Sequence, residues 1–157
     1  MSPRASSLLS ALMVLCLAGA TPALAVDTND ASEPAAGEMP PGYAEAAALV
    51  KEERFAEALP LLKQAESLQP AHADTLNLLG FTSRMTGDVV AARGYYDRAL
   101  KIAPNHRGAR EYRGELFVKT GDLAAARRDL AELERICGVD CEEYRELADA
   151  IAAVPAP

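Results

Sequence analysis

The stretch ADTLNLLGFTSRMTGDVVAARGYYDRALKIAP, residues 73–104, decides how the rest of the chain is read. Its patterning is helical on both sides of Gly87-Asp88, and Pro104 closes it. Glycine tolerates the positive φ that ends one helix, and aspartate can cap the next. The segment therefore reads as helix, turn, helix.

The same punctuation recurs outward at a fixed step. Pro70 and Pro104 are 34 residues apart, as are His72 and His106. Ala58, Ala92 and Ala126 keep the interval, and so do Ala46, Gly80 and Gly114, and Ala65, Ala99 and Leu133. Small side chains at fixed places let paired helices approach closely, so this period predicts a stacked helix-turn-helix solenoid. Gly121-Asp122 repeats the turn, whereas the first repeat has Glu53-Arg54 there, with Phe55 placed to pack beside it. Helices are predicted near residues 42–53, 55–68, 73–86, 88–102, 107–120 and 122–136.

On these residues the chain resembles the tetratricopeptide-repeat family over 40–137, in three repeats at 40–70, 73–104 and 107–137. Leu76, Leu79 and Gly80 match the start of the family pattern in the middle repeat, and Ala92, Tyr96, Ala99 and Pro104 match its second half. The resemblance implies an all-α, right-handed helical solenoid. Departures are visible as well. The chain has no tryptophan, Ser83 stands where a tyrosine is usual, and Arg113 takes a place normally held by a buried leucine. The third repeat lacks its closing proline, so it should pack against something other than a fourth repeat.

That something is CEEYRELADAIAAV, from Cys141 to Val154, in which Tyr144, Leu147, Ala148 and Ile151 form a stripe at helical spacing. A capping helix is predicted over 141–153, with Glu142, Glu143, Arg145, Glu146 and Asp149 turned outward, because a solenoid end otherwise leaves an apolar face in water. The Cys-containing turn and cap span 138–154, and 155–157 read as a disordered tail. Cys137 and Cys141 flank Gly138 at the junction. In an oxidising compartment two cysteines so close favour a disulfide, closing a loop that stabilises by roughly 2 kcal/mol. A redox-active pair or a soft-metal site for Cu(I) are the alternatives, although no Met or His lies near in sequence to complete a metal set.

Composition agrees with packed helices. Half of the 157 residues are apolar, which suits one core. Arg4, an apolar run from Leu8 to about Ala20, and Ala23-Leu24-Ala25 read as a secretory signal cleaved after residue 25, the run being short of the roughly 20 residues a spanning helix needs. Cys16 lies within that run after Leu15, a poor lipidation context. Residues 26–39 read as a flexible acidic leader. Cleavage takes the formal charge from −7 to −8 through loss of Arg4, which argues against nucleic acid or an anionic membrane as partner. The expected location is periplasmic or secreted, without integral membrane insertion after cleavage.

By the family resemblance, the first helix of each repeat lines a concave groove, here through Tyr43, Ala47, Val50 and Lys51; Asn77, Phe81, Arg84 and Met85; and Glu111, Glu115, Val118 and Lys119. Phe81, Met85, Val50 and Val118 suit apolar side chains of a peptide, Asn77 its backbone, and Lys51, Arg84 and Lys119 acidic groups. Arg107, Arg110 and Arg113, with Arg127 and Arg128 on the partner helix, read as a solvated face paired with acids, the sharper alternative being an anion-binding patch. His72 and His106 read as turn residues one repeat apart. No nucleophile, base and orienter set, phosphate-binding glycine loop or His-carboxylate cluster appears, so neither catalysis nor a cofactor is expected. The leading functional expectation is a scaffold that binds another protein or peptide, with self-association left open. The alternative is a redox or copper-handling accessory of cytochrome or oxidase maturation that uses Cys137 and Cys141.

Overall fold

The computed structural model describes residues 38–155. The signal-like residues 1–25, nearly all of the acidic leader, and the last two residues lie outside that range. The described residues form seven helices and no strand: α1 (Tyr43–Lys51), α2 (Phe55–Leu68), α3 (Ala73–Met85), α4 (Val89–Ile102), α5 (Arg107–Thr120), α6 (Leu123–Cys137) and α7 (Glu142–Ala152). Among them, none is long and apolar enough to cross a membrane.

Local chemistry sets these boundaries. Gly87 and Gly121 sit at φ 90° and 84°, as the turns after α3 and α5 require. Asp88 Oδ1 and Asp122 Oδ1 accept from the amides of Ala91 and Ala125, both at 3.0 Å, satisfying N–H groups that have no partner within α4 and α6. The first repeat lacks the glycine, so Glu53 takes positive φ, at 59°. The two histidines do more than occupy turns. Nδ1 of His72 and of His106 accepts from the amides of Thr75 and Ala109, each at 3.2 Å, capping α3 and α5. With Nδ1 an acceptor, the neutral ring carries its proton on Nε2. His106 Nε2 then donates to Asp74 at 2.9 Å and ties the third repeat to the second.

The recurring small residues are the core. Ala46, Ala58, Ala65, Ala92, Ala99, Ala126 and Leu133 are all fully buried. A Cβ placed on Gly80 would lie 2.5 Å from the ring of Tyr96, itself fully buried on α4, so only glycine admits that ring. Gly114 gives the same clearance to Leu147 of α7.

That last contact is where the helix expected to cap the third repeat docks. Helix α7 packs on both α5 and α6, and Ala148 falls 34 residues after Gly114. The stripe on α7 buries Leu147 and half-buries Tyr144, Ala148 and Ile151, leaving Glu142, Arg145, Glu146 and Asp149 exposed. Cys137 ends α6 and Cys141 precedes α7, with Cα atoms 5.9 Å apart and the sulfurs joined.

The arginine row pairs with acids as expected, but two of its members are covered and not solvated. Arg113, where a leucine was expected, keeps its guanidinium under cover by binding Asp129 of α6 twice, at 2.6 and 2.9 Å, and Asp97 of α4 at 2.7 Å. Arg110 joins Asp129 at 3.2 Å and donates to the Pro104 carbonyl at 2.9 Å. Asp129 is 2% exposed. Burial disfavours the Arg113 charge, but Asp129 and Asp97 outweigh it and hold its pKa above the ordinary value. These two arginines are neither a solvated face nor open to an anion, whereas Arg127 and Arg128 are exposed.

Gly80→Ala should lower stability in urea unfolding by about 1–2 kcal/mol, overpacking against Tyr96 exceeding the gain in helix propensity. Combining it with Tyr96→Leu should cost less than the sum of the two. Unchanged or higher stability of Gly80→Ala alone would contradict the close approach.

Candidate binding groove

Helices α1, α3, α5 and α7 stand side by side in one layer, with α2, α4 and α6 behind them. The 34-residue step aligns Tyr43, Asn77 and Glu111 in one row across this layer, and Ala47, Phe81 and Glu115 one turn further along. Near the helix ends come Val50 and Lys51, Arg84 and Met85, and Val118 and Lys119.

At the centre the rings of Phe81 and Tyr112 lie 4.9 Å apart, and Phe55 meets Phe81 edge-on at 6.0 Å. The Arg84 guanidinium lies 5.3 Å from the Phe81 ring centre and 5.7 Å from that of Tyr112, and pairs with Glu115 at 2.8 Å. Arg84 is thus committed within the wall and is not a free cation for an acidic partner. Phe81 and Tyr112 are half-buried, while Met85 is 48% exposed. Lys51 and Lys119 are exposed at the helix ends. Val50 packs against the core around Ala46, Ala58 and Leu62, and Val118, like Ile151, packs against Phe117, Ala125 and Ala126. Tyr43 stacks edge-on against His72.

Glu111 departs most from a residue lying open in a groove. It is 4% exposed, covered by α7, and has no ion-pair partner among the described residues. Burial is the main cause that drives its pKa up, to about 9. A hydrogen bond with Glu146 and the charges of Glu146, Glu115 and Glu143 push the same way. Burial, then Glu111 and Glu115, raise the Tyr112 hydroxyl. Glu143 itself meets Arg107 at 3.3 Å. In the same row, one repeat earlier, Asn77 Oδ1 is buried with no hydrogen-bond partner, its amide nitrogen resting near Gly108, one turn before Glu111.

The model of the family described as Tetratricopeptide repeat matches residues 43–107 and 87–138. The chain belongs to the tetratricopeptide-repeat family. Solved tetratricopeptide-repeat structures share the fold. The first tetratricopeptide-repeat domain of Spaghetti (RPAP3), bound to the HSP90 peptide SRMEEVD, is 14% identical at a TM-score of 0.62, over 71% of this chain and 91% of that one. The Yersinia enterocolitica type III secretion chaperone SycD, in complex with a peptide of the translocator YopD, is 16% identical at 0.62, over 71% and 85%. The Sgt2 tetratricopeptide-repeat domain from Aspergillus fumigatus is 19% identical at 0.63, over 74% and 84%. A search of curated proteins finds no match to the chain.

Sequence reasoning missed Tyr112, Glu143 and Glu146 as members of this wall. The signal was present: extending the Ala46, Gly80, Gly114 series by one step reaches Ala148, which sets the capping helix beside α5 in the same layer.

The unfolded chain loses the Glu111 proton near the ordinary 4.5, whereas the folded chain keeps it to about 9. Between those values the folded state holds more protons, so this group lowers stability progressively as pH rises through the window. Glu111→Gln should therefore raise the melting temperature by a few degrees at pH 8 and leave it nearly unchanged at pH 4.5. Thermal unfolding followed by circular dichroism across pH checks this, and an equal shift at both pH values would contradict it.

Proposed function

We propose that this tetratricopeptide-repeat chain is an exported interaction scaffold that holds an extended or helical segment of a partner protein against the α1, α3, α5, α7 layer. The observation that carries this reading is the half-covered aromatic pair Phe81 and Tyr112, with exposed Met85 beside it, in the middle of that layer. Apolar surface of this kind is retained at a cost in solubility and gains from being covered by a partner. The peptides bound by the Spaghetti domain and by SycD are consistent with that use of the fold. Export rests on the signal-like residues 1–25, and places the scaffold in the periplasm or outside the cell, where it contributes to an envelope assembly. In that compartment the Cys137–Cys141 disulfide is a staple that fastens α7 to the third repeat. Because few repeats give few contacts, affinity on the order of micromolar is expected.

One observation favours a second reading. The carboxylate of Glu143 and the sulfurs of Cys137 and Cys141 all lie within 4.8 Å of one another, so reduction would leave two thiolates beside a third donor. Copper retained at one equivalent after anaerobic loading of the reduced chain would favour metal handling, and none retained would favour the staple.

The scaffold reading is tested with dodecamer peptides selected on the purified chain from a random display library. Phe81→Ala with Arg84→Ala should weaken their binding at least about tenfold. Unchanged affinity in a variant that retains its helical spectrum would discard the wall as the binding surface.

A further inference from the structure

We infer that the chain carries a second docking site, separate from the wall, in a hollow where the start of α4 meets the end of α5 and the start of α6. Its occupant is an acidic segment of a partner protein, with one apolar side chain seated in the hollow and a carboxylate held at the mouth by Arg93 and Arg128. The hollow measures about 330 Å³ and is lined by Val89, Val90 and Arg93 of α4 and by Leu116, Phe117 and Thr120 of α5. The wall residues Phe81, Met85, Glu111 and Tyr112 do not border it. A polar basin of about 240 Å³ adjoins it, sharing Arg93 and Phe117 and adding Arg113, Arg128 and Asp129.

The apolar half breaks a local rule. Val90 is 85% exposed, more than any other large apolar residue among those described. It stands in the first turn of α4, where a β-branched residue has low helix propensity and an acidic one would favour the positive helix end. The neighbouring repeats have Ala56 and Ala124 at this step. Such a departure on an open surface beside an apolar hollow marks a place of contact. The repeat also shows how the hollow arises. Phe55 and Leu59 stand 34 residues before Val89 and Arg93. The Phe55 ring crosses to Phe81, and Leu59 packs into the core. Val89 has no ring to reach across, and Arg93 lies over Phe117, 5.2 Å from the ring centre, with 61% of its side chain exposed.

The sign of the occupant follows from the charges around the hollow. Asp129 is held by Arg110 and Arg113, and Asp97 by Arg113 at 2.7 Å, closer than its 3.7 Å to Arg93. Asp88 and Asp122 cap α4 and α6 and are matched in number by Lys119 and Arg127 on the adjoining turns. Glu115 is bound to Arg84, and Glu132 to Arg135. The guanidiniums of Arg93, Arg110, Arg113 and Arg128 therefore face only the carboxylates of Asp97 and Asp129. Arg110 and Arg113 are committed to those carboxylates. Arg93 and Arg128 keep N–H donors to spare at the mouth, Arg128 being exposed and without an ion-pair partner among the described residues. On a chain of formal charge −7 this is a local inversion, so it draws an acidic segment that most of the surface repels. The planar fork of a guanidinium also matches a carboxylate in geometry.

The test selects random dodecamers on the full chain carrying Phe81→Ala and Arg84→Ala, whose wall residues are removed, and measures their affinity for the wild-type chain. Selected peptides should combine Asp or Glu with Leu, Ile or Phe. Affinity should fall about tenfold in the Arg93→Gln, Arg128→Gln variant, by a similar factor in Val90→Ser, and again when salt rises from about 0.05 to about 0.5 M. All three substituted positions are exposed, so each variant should retain its helical spectrum. Selection of neutral or basic peptides would overturn the site. So would acidic peptides indifferent to the glutamine pair or to Val90→Ser, or the absence of any selected peptide. None of these outcomes bears on the wall, because the chain used for selection lacks it.

Discussion

Close approach of helices at a repeating set of small residues is the constraint on which everything else in this molecule depends. Ala46, Gly80 and Gly114 on the first helix of each repeat, and Ala58, Ala92 and Ala126 on the second, are all buried. At the two glycines the space a methyl group would fill already belongs to Tyr96 or Leu147. Interiors pack near crystal density, so such an interval cannot widen in one repeat without disturbing the next. The regular spacing then places one row of side chains after another on the exposed side of α1, α3, α5 and α7. A surface made from rows can hold an elongated partner because its features recur along a line.

Much of this was legible in the sequence because it depends on local chemistry. Glycine at a positive φ, aspartate at a helix start and alanine where backbones meet are dictated by neighbouring residues and by a fixed step. Each predicted helix lies within two residues of its observed bounds. What escaped depended on pairing between distant residues. Arg113 looked like a flaw in the repeat, and nothing near it in the chain identifies Asp129, 16 positions later on another helix, as the buried anion that accommodates it. The pair illustrates how a charge can sit in a core when every donor is matched, at the cost that removing either partner would strand the other.

The groove was legible in outline and not in character. Family spacing indicated which positions face outward, yet Arg84 and Glu115, read separately as contacts for a ligand, turn out to bind each other. Glu111 was read as an open groove residue. The position of α7 encloses it, and α7 lies there because Ala148 continues the small-residue series and Leu147 fills the hollow at Gly114. The charge pattern of this end of the wall therefore depends on the capping helix, which adds Glu143 and Glu146 to the Glu111 and Glu115 that α5 already carries.

Hydrogen–deuterium exchange on the full chain, with and without a saturating selected peptide, tests most directly whether the stacked first helices make the working surface. Protection should deepen in α3, α5 and the first turns of α7, with α2, α4 and α6 little changed. Protection confined to α4 and α6 would contradict the account, because those helices form the layer behind the wall.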